Sequence, residues 1–281
     1  MYITSSITAL TSPYLDKYDT GLGNVLFQVS SVYGISKSLD ISCDFPAVEL
    51  LTDKLKSLYN LDHYKKIYRN VPITNNNDIV YSDRINESDQ NIQCNETKLV
   101  DYIREVSKNK NIIIDGYLGN TWYFNKYRDD ILSMFAPDQE SLDYINNKYF
   151  KNMEHYTIVS IHYRGKGFSN QPLKDYYKNA YEYVLKNIDN PFFYIFTDDI
   201  SSIDLSIYDK TKYKIIENEV DYIDLWTMSM CKHNIISFST LAWWAAYLNK
   251  NHDKIIICNN YDQFIGVFNV NYLIETVTLF I

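Results

Sequence analysis

Four apolar runs in this sequence end in residues with chemistry to do. The run "IVSIHYRGKGF" closes on His162, then Arg164, Gly165, Lys166 and Gly167, which sets up to three cationic groups and two flexible glycines at one mouth. Arginine holds a phosphate through two parallel hydrogen bonds and keeps its charge at any working pH, so a diphosphate leaving group suits this segment. A solvated basic loop is the plain alternative. In "FFYIFTDDISS" the run ends at Asp198 and Asp199. Neighbouring carboxylates can chelate a divalent cation carrying a nucleotide diphosphate, accept hydrogen bonds from a base or ribose, or cap a short helix through its free N–H groups.

The third run, "HNIISFSTLAWWAAYL", passes into a helix that starts near Ser239 and Thr240. Two hydroxyls and several unpaired backbone N–H groups then face whatever sits there, and phosphate is the natural guest. Trp243 and Trp244, with Leu241, Ala245 and Leu248, read as a helix face packed on a sheet and not as a stacking platform. In the fourth, "NIIIDGYLGNTWYF", Asp115 closes a strand, and Gly116, Gly119 and Asn120 loosen the loop that follows. The aromatics Tyr117, Trp122 and Tyr123 would suit an acceptor sugar, although Asp-Gly also reads as a simple strand-ending turn. Nearer the start, "TGLGNVLFQVSSVYGISKSLD" places Gly21, Gly23 and Asn24 ahead of an apolar helical run. Such a turn leaves N–H groups bare and lets a phosphate or sugar approach the main chain closely.

The elements that position these residues follow from hydrophobic period. Short apolar strands alternate with helical patterns, the signature of βαβ units and a mainly parallel sheet. In the first half the spacing predicts a strand at Met1–Thr4, a helix at Asn24–Ser38, a polar excursion at Asn70–Thr97, a strand at Asn111–Asp115, and helices at Trp122–Phe135 and Asp138–Phe150. The second half predicts strands at Thr157–Tyr163, Phe192–Thr197, Tyr213–Glu217, His233–Phe238 and Lys254–Cys258, with helices at Leu173–Ile188, Asp221–Met230 and Thr240–Asn249. Right-handed crossovers then make a doubly wound domain, in which ligands sit beyond the carboxyl ends of the strands.

Composition narrows the classes. The 281 residues are 46% hydrophobic and include 27 tyrosines, ample for two domains. A net charge of −8 gives no global basic field, and nucleic acid is not an expected partner. The four cysteines, Cys43, Cys94, Cys231 and Cys258, lie far apart and read as reduced thiols. Nowhere do 18 uncharged apolar residues run together, so no transmembrane segment is expected, and the location expected is cytoplasmic. His233 reads as structural, and Asp221 and Asp224 as acids at a helix start, with Asp224 as a cap.

Taken together, the quoted segments resemble the α-1,2-fucosyltransferases, a group within the inverting fucosyltransferases (glycosyltransferase family 11). The likeness is carried by Gly21–Gln28, by "DGYL" at Asp115–Leu118, by "SIHYRGKGF", by "FTDD", and above all by "DLWTMSMCKHNIISFSTLAWWAAYLN" at Asp224–Asn249. The resemblance implies a two-domain GT-B-like α/β fold, with Rossmann-like domains facing a cleft. Residues 1–152 would form the acceptor-side domain and 153–281 the nucleotide-sugar domain. It implies transfer of L-fucose from GDP-fucose to a glycan acceptor, without a cofactor or metal. It implies donor contacts from Gly21, Gly23, Asn24, His162, Arg164, Lys166, Asp198, Ser237, Ser239 and Thr240, with Arg164, His162 and Asn24 at the reaction, and acceptor contacts from Asp115, Tyr117 and Trp122. One block departs from the group's pattern: His-x-Arg-Arg-Gly-Asp-Tyr becomes His162-Tyr163-Arg164-Gly165-Lys166-Gly167-Phe168, losing the second arginine and the aspartate. A changed donor sugar, or a catalytically inactive binding relative, are the alternatives this departure opens.

Overall fold

Every strand pair among the described residues is parallel. The computed structural model describes residues 2–5, 21–46, 66–74, 82–86, 96–106, 110–116, 118–164, 173–236, 238–259 and 278–280. They fall into two units, 1–136 and 137–281.

In the first unit, β1 (Tyr2–Ser5), β2 (Ser42–Cys43), β5 (Asp83–Asn86) and β6 (Ile112–Asp115) make a sheet in the order β2-β1-β6-β5. Two short strands, β3 (Phe45–Pro46) and β4 (Ile73–Thr74), pair separately. Helix α1 (Leu22–Leu39) buries Val25, Leu26, Phe27, Val29, Val32 and Ile35 and stops at Asp40, whose left-handed φ of 53° turns its N–H onto the Ser36 carbonyl. Gly34 lies where a Cβ would stand 2.0 Å from the Tyr123 carbonyl oxygen and 2.6 Å from Phe124 Cα, so the missing side chain is what lets the helix approach that segment.

Two expectations change here. The helix expected at Trp122–Phe135 is broken: 3₁₀ turns at Thr121–Tyr123 and Asn125–Tyr127 precede a short α3 (Arg128–Met134). Asn120 causes the first break, accepting the Trp122 N–H at 3.0 Å. The polar excursion at Asn70–Thr97 contains edge strand β5 and the start of α2 (Glu96–Val106), which buries Leu99 and Ile103 at helical spacing.

The second unit carries β7 (Thr157–Tyr163), α5 (Leu173–Asn187), β8 (Pro191–Thr197), β9 (Tyr213–Ile216), α6 (Asp221–Met230), β10 (His233–Ile236), α7 (Thr240–Leu248), β11 (Ile256–Cys258) and β12 (Thr278–Phe280). Of these, β12 was not anticipated. The sheet order is β12-β11-β10-β7-β8-β9. From β7 the chain moves outward through β8 and β9, then returns to the far side of β7 for β10 to β12. The order therefore reverses between β7 and β10, the switch point of a doubly wound sheet.

Alternation divides β7 between two faces. Val159, Ile161 and Tyr163 pack against α5 with Phe193, Ile195, Ile235 and Ile257. On the α6 and α7 side, Asn234 donates to Ser160 Oγ at 2.7 Å and to the Met228 carbonyl at 2.8 Å, and accepts from Asn249 at 2.8 Å. Helix α4 (Gln139–Ile145) and the π-turn Asn146–Phe150 belong to this unit. Glu219 takes hydrogen bonds from Tyr144, Lys148 and Tyr149, and the Tyr194 hydroxyl donates to the Tyr149 carbonyl. The units thus divide at Ala136–Pro137, ahead of the Asn152 boundary read from the sequence, because the helix preceding β7 packs on the sheet that follows it.

Candidate functional site

The ends of β7 and β8 bring the first pair of expected residues together. His162 and Tyr163 register against Phe196 and Thr197. Just beyond, Arg164 Nη1 donates to Asp198 Oδ2 at 3.0 Å, and both side chains reach solvent. His162 is buried; burial pushes its pKa down to about 4, the Arg164 charge acts in the same direction, and Asp198 opposes them. The imidazole is therefore neutral near pH 7 and is not one of the three cations the segment suggested. It offers a ring N–H or a lone pair, not a charge. Gly165, Lys166 and Gly167 lie outside the described residues.

The Asp198–Asp199 pair parts company. Asp199 caps the 3₁₀ turn Ile200–Ser202, accepting from the Ser201 N–H at 3.0 Å and its hydroxyl at 2.6 Å, while Asp198 turns to Arg164. The capping reading holds for the second aspartate only. At the start of α7, Ser239 is the capping residue and its Oγ accepts the Ala242 N–H at 3.5 Å. Thr240 is the first helical residue and is half-buried. Ser237 lies outside the described residues. Trp243 and Trp244 are fully buried, and Trp243 stacks on Tyr247, as expected of a packed face.

Because β10, β7 and β8 are neighbours, the start of α7, the His162–Arg164 segment and Asp198 lie at the carboxyl ends of three adjacent strands. Those ends flank the switch point, where open α/β sheets bind ligands, and a helix N-terminus beside an arginine suits an anion.

The first unit gathers the other expected residues at the end of β6. Asp115 is buried, and both its oxygens accept from Arg84 Nη1, at 3.1 and 2.8 Å. The loop beyond is tied to α1: Gln28 donates to the Gly116 carbonyl at 3.0 Å and Ser31 to the Leu118 carbonyl at 2.8 Å. Ser5 in turn donates to Gln28 Oε1 at 3.4 Å. Asn24 precedes Gln28 by one turn and shares its helix face. Trp122 is 51% exposed, and Tyr117 lies outside the described residues. Gly21 opens α1 at φ −58°, with nothing among the described residues within 4 Å of where a Cβ would stand, and Gly23 is buried. Ordinary backbone with open space beside it fits close approach by a ligand and needs no turn-based reason for the glycine.

Sequence reasoning gave Arg84, Gln28 and Ser31 no role. Arg84 sat inside the stretch read as an excursion. Gln28 carried a signal, a long polar side chain inside an apolar helical run. One expectation is corrected: Asp224 is not a cap. Val220 precedes α6 without a side-chain capping bond, and Asp224 Oδ1 is buried with no hydrogen-bond partner among the described residues. Burial, then the charges of Glu219 and Asp221, raise its pKa to about 7, outweighing the helix dipole. His233 is structural as expected, its Nδ1 accepting the Ile255 N–H at 2.9 Å.

Two α/β units with parallel sheets, and polar residues gathered at strand carboxyl ends, are the architecture of GT-B-like glycosyltransferases. A crystal structure of fucosyltransferase NodZ from Bradyrhizobium shares the fold with a TM-score of 0.52, at 10% identity over 87% of this chain and 91% of that one. NodZ alpha-1,6-fucosyltransferase soaked with GDP-fucose gives 0.50, at 11% identity over 88% and 92%. The family described as Glycosyl transferase family 11 matches residues 84–279, and the chain belongs to it. Two Escherichia coli proteins are similar in sequence. "O-antigen biosynthesis glycosyltransferase WbnK" is 29% identical over 156 residues, 50% of this chain and 52% of that protein. "Alpha-1,2-colitosyltransferase" is 31% identical over 152 residues, 49% of this chain and 51% of that protein. The match spans about half the length of each relative.

Proposed function

We propose that the protein is an inverting, metal-independent α-1,2-fucosyltransferase that moves L-fucose from GDP-fucose to a hydroxyl of a galactose-like or related glycan. The observation that carries this reading is the Arg164–Asp198 pair beside the start of α7, at the switch point of the second unit. Membership of family 11, and relatives named for O-antigen biosynthesis and α-1,2 transfer, support it.

In this reading Arg164 and the first N–H groups of α7 take the diphosphate, helped by Lys166, Ser237, Ser239 and Thr240. Asp198 orients the guanidinium and contacts the nucleoside. Neutral His162 adds a hydrogen bond without adding charge. The acceptor hydroxyl attacks the anomeric carbon opposite GDP; its new bond to that carbon forms as the carbon–phosphate-oxygen bond breaks, its proton passes to solvent, GDP departs with the bonding electron pair, and configuration inverts. Negative charge grows on the departing diphosphate, where preorganised donors stabilise the transition state more than the ground state. Gly21, Gly23 and Asn24 serve the transferred sugar, and Asp115, Tyr117 and Trp122 the acceptor. A cytoplasmic place of action belongs to the same proposal, and recovery of the protein in a membrane pellet counts against it.

The test is calorimetric titration with GDP, GDP-fucose, UDP and dTDP without added metal, for wild type and Arg164→Ala, followed by transfer assays with and without EDTA. Selective binding of GDP and GDP-fucose, lost in the variant, and transfer that survives EDTA are expected. A preference for UDP or dTDP replaces the donor, and no nucleotide binding points to an inactive relative. A second reading keeps the fold and changes the sugar. The altered Arg164–Lys166 block and the relative named for colitose transfer favour it, so the transfer assay includes a colitose donor.

A further inference from the structure

Consecutive tyrosines on α5 reach the ends of three strands. The Tyr177 hydroxyl donates to the His162 carbonyl at 2.9 Å. The Tyr176 hydroxyl shares its proton between the carbonyls of Ile236 at 2.7 Å and Ile257 at 2.9 Å. Both side chains are buried. Ile236 is the last residue of β10, and His162 and Ile257 are the last but one of β7 and β11, so all three acceptors lie at or one residue before the carboxyl end of a strand. Arg164 follows His162 by two positions, and Ser239 follows Ile236 by three. Tyr163 stacks on Tyr177 with ring centroids 3.7 Å apart, and its hydroxyl bonds to that of Tyr208. The backbone at 162–163 is thus held from the α5 face.

We propose that Tyr177 and Tyr176 are positioning residues for the anion site, setting the backbone that carries Arg164 and the start of α7 in register across the switch point. The proposal rests on the functional reading above for the identity of the ligand. A phenylalanine at either position would fill the same apolar space, so packing alone does not call for the hydroxyls. What they add is a fixed distance between one helix and three strand ends. Diphosphate recognition needs that, because a bidentate arginine tolerates only about half an ångström of misplacement. Burial holds the Tyr176 phenol well above its usual pKa, so it stays a donor over the whole working range.

Tyr181, one turn further along α5, supplies the internal control. It is buried as well, but its hydroxyl accepts the Asp209 N–H at 3.1 Å, away from these strand ends. The experiment compares Tyr177→Phe, Tyr176→Phe and Tyr181→Phe by hydrogen exchange, melting temperature, and GDP-fucose affinity and turnover. Exchange is expected to rise about tenfold over 157–164 in Tyr177→Phe and over 233–236 in Tyr176→Phe, the ratio that one net hydrogen bond corresponds to, with neither segment altered in Tyr181→Phe. Donor affinity is expected to fall about 5- to 30-fold in the first two variants and to hold in the third, although all three melt within a few degrees of one another. Equal exchange and equal donor affinity in all three variants overturn the proposal. Wild type that binds no nucleotide overturns the functional reading instead, while the exchange pattern still decides whether the hydroxyls fix the strand ends.

Discussion

The Arg164 guanidinium and the Asp198 carboxylate meet at 3.0 Å across the ends of two adjacent parallel strands, both open to solvent. An exposed ion pair of this kind is worth about 0–1 kcal/mol to folding, so stability does not explain its place at the switch point. Arg164→Ala should therefore leave the melting temperature within about 2 °C of wild type and weaken GDP binding by about 50-fold or more. Arg164→Lys should restore only part of that affinity, since a point charge does not replace a planar fork. Calorimetry beside thermal melting checks both. Unchanged GDP affinity in Arg164→Ala would remove this residue from the site.

Gly34 should not tolerate a methyl group. The added Cβ would meet backbone atoms of Tyr123 and Phe124 at 2.0 and 2.6 Å, and backbone cannot swing aside as a side chain can. Gly34→Ala gains helix propensity worth up to about 1 kcal/mol, yet overpacking should outweigh it and leave a net loss of about 1–3 kcal/mol. Urea unfolding measures the balance, and a stabilised variant would show that α1 and the 121–124 segment separate freely.

The second unit was the more legible in the sequence. Its strands are mostly apolar because helices cover both faces, and β7 was bounded to the residue from that run and α6 from its helical period. The first unit hid its edge. In β5, "DRIN", only Ile85 turns inward, so period-2 reading had one apolar residue to work with, and Arg84 was missed along with its hold on Asp115. The strand-end residues His162, Arg164, Asp198 and Ser239 were singled out because ligands of a doubly wound sheet sit beyond the strands, while their donor roles rest on the family resemblance. Charge states were not legible: His162 reads as a cation and Asp224 as a cap until burial and neighbours are known. Tyr176 and Tyr177 were invisible among 27 tyrosines, since a hydroxyl's partner on a distant strand leaves no local trace.

Asn234 should be among the costliest residues to truncate. It is fully buried in β10 and links Ser160, the end of α6 and Asn249. Alanine leaves one Asn249 N–H without its acceptor and the Ser160 hydroxyl without its donor inside the core, while the Met228 carbonyl keeps the Cys231 N–H at 3.3 Å. Each such group costs about 1–3 kcal/mol, so Asn234→Ala should lose about 2–4 kcal/mol. Chemical denaturation of the purified variant measures this, and a loss below about 0.5 kcal/mol would mean that water replaces the side chain.

Stability should depend on pH through groups that pull in opposite directions. His162 and His233 are held neutral, with pKa values near 4 against an ordinary 6.5, chiefly by burial. Between those values the unfolded chain binds more protons than the native one, so stability falls as pH falls through this window. For His233 the structural reason is plain: its Nδ1 accepts the Ile255 N–H and loses that bond on protonation. Asp224 behaves in the reverse sense. Its pKa rises from 3.8 to about 7, so between these values the native state holds the extra proton, and stability falls as pH rises toward 7. Because two histidines oppose one aspartate in the window they share, melting curves from pH 4.5 to 8.5 should rise toward a maximum near neutrality, less steeply than the histidines alone would make them. Asp224→Asn should steepen the rise between pH 5 and 7, because it removes the group that opposes the histidines. His233→Asn, whose amide oxygen can still accept from Ile255, should soften the acid limb and leave the other side unchanged. An Asp224→Asn curve parallel to wild type between pH 5 and 7 would show that burial beside Glu219 and Asp221 does not hold this carboxyl protonated.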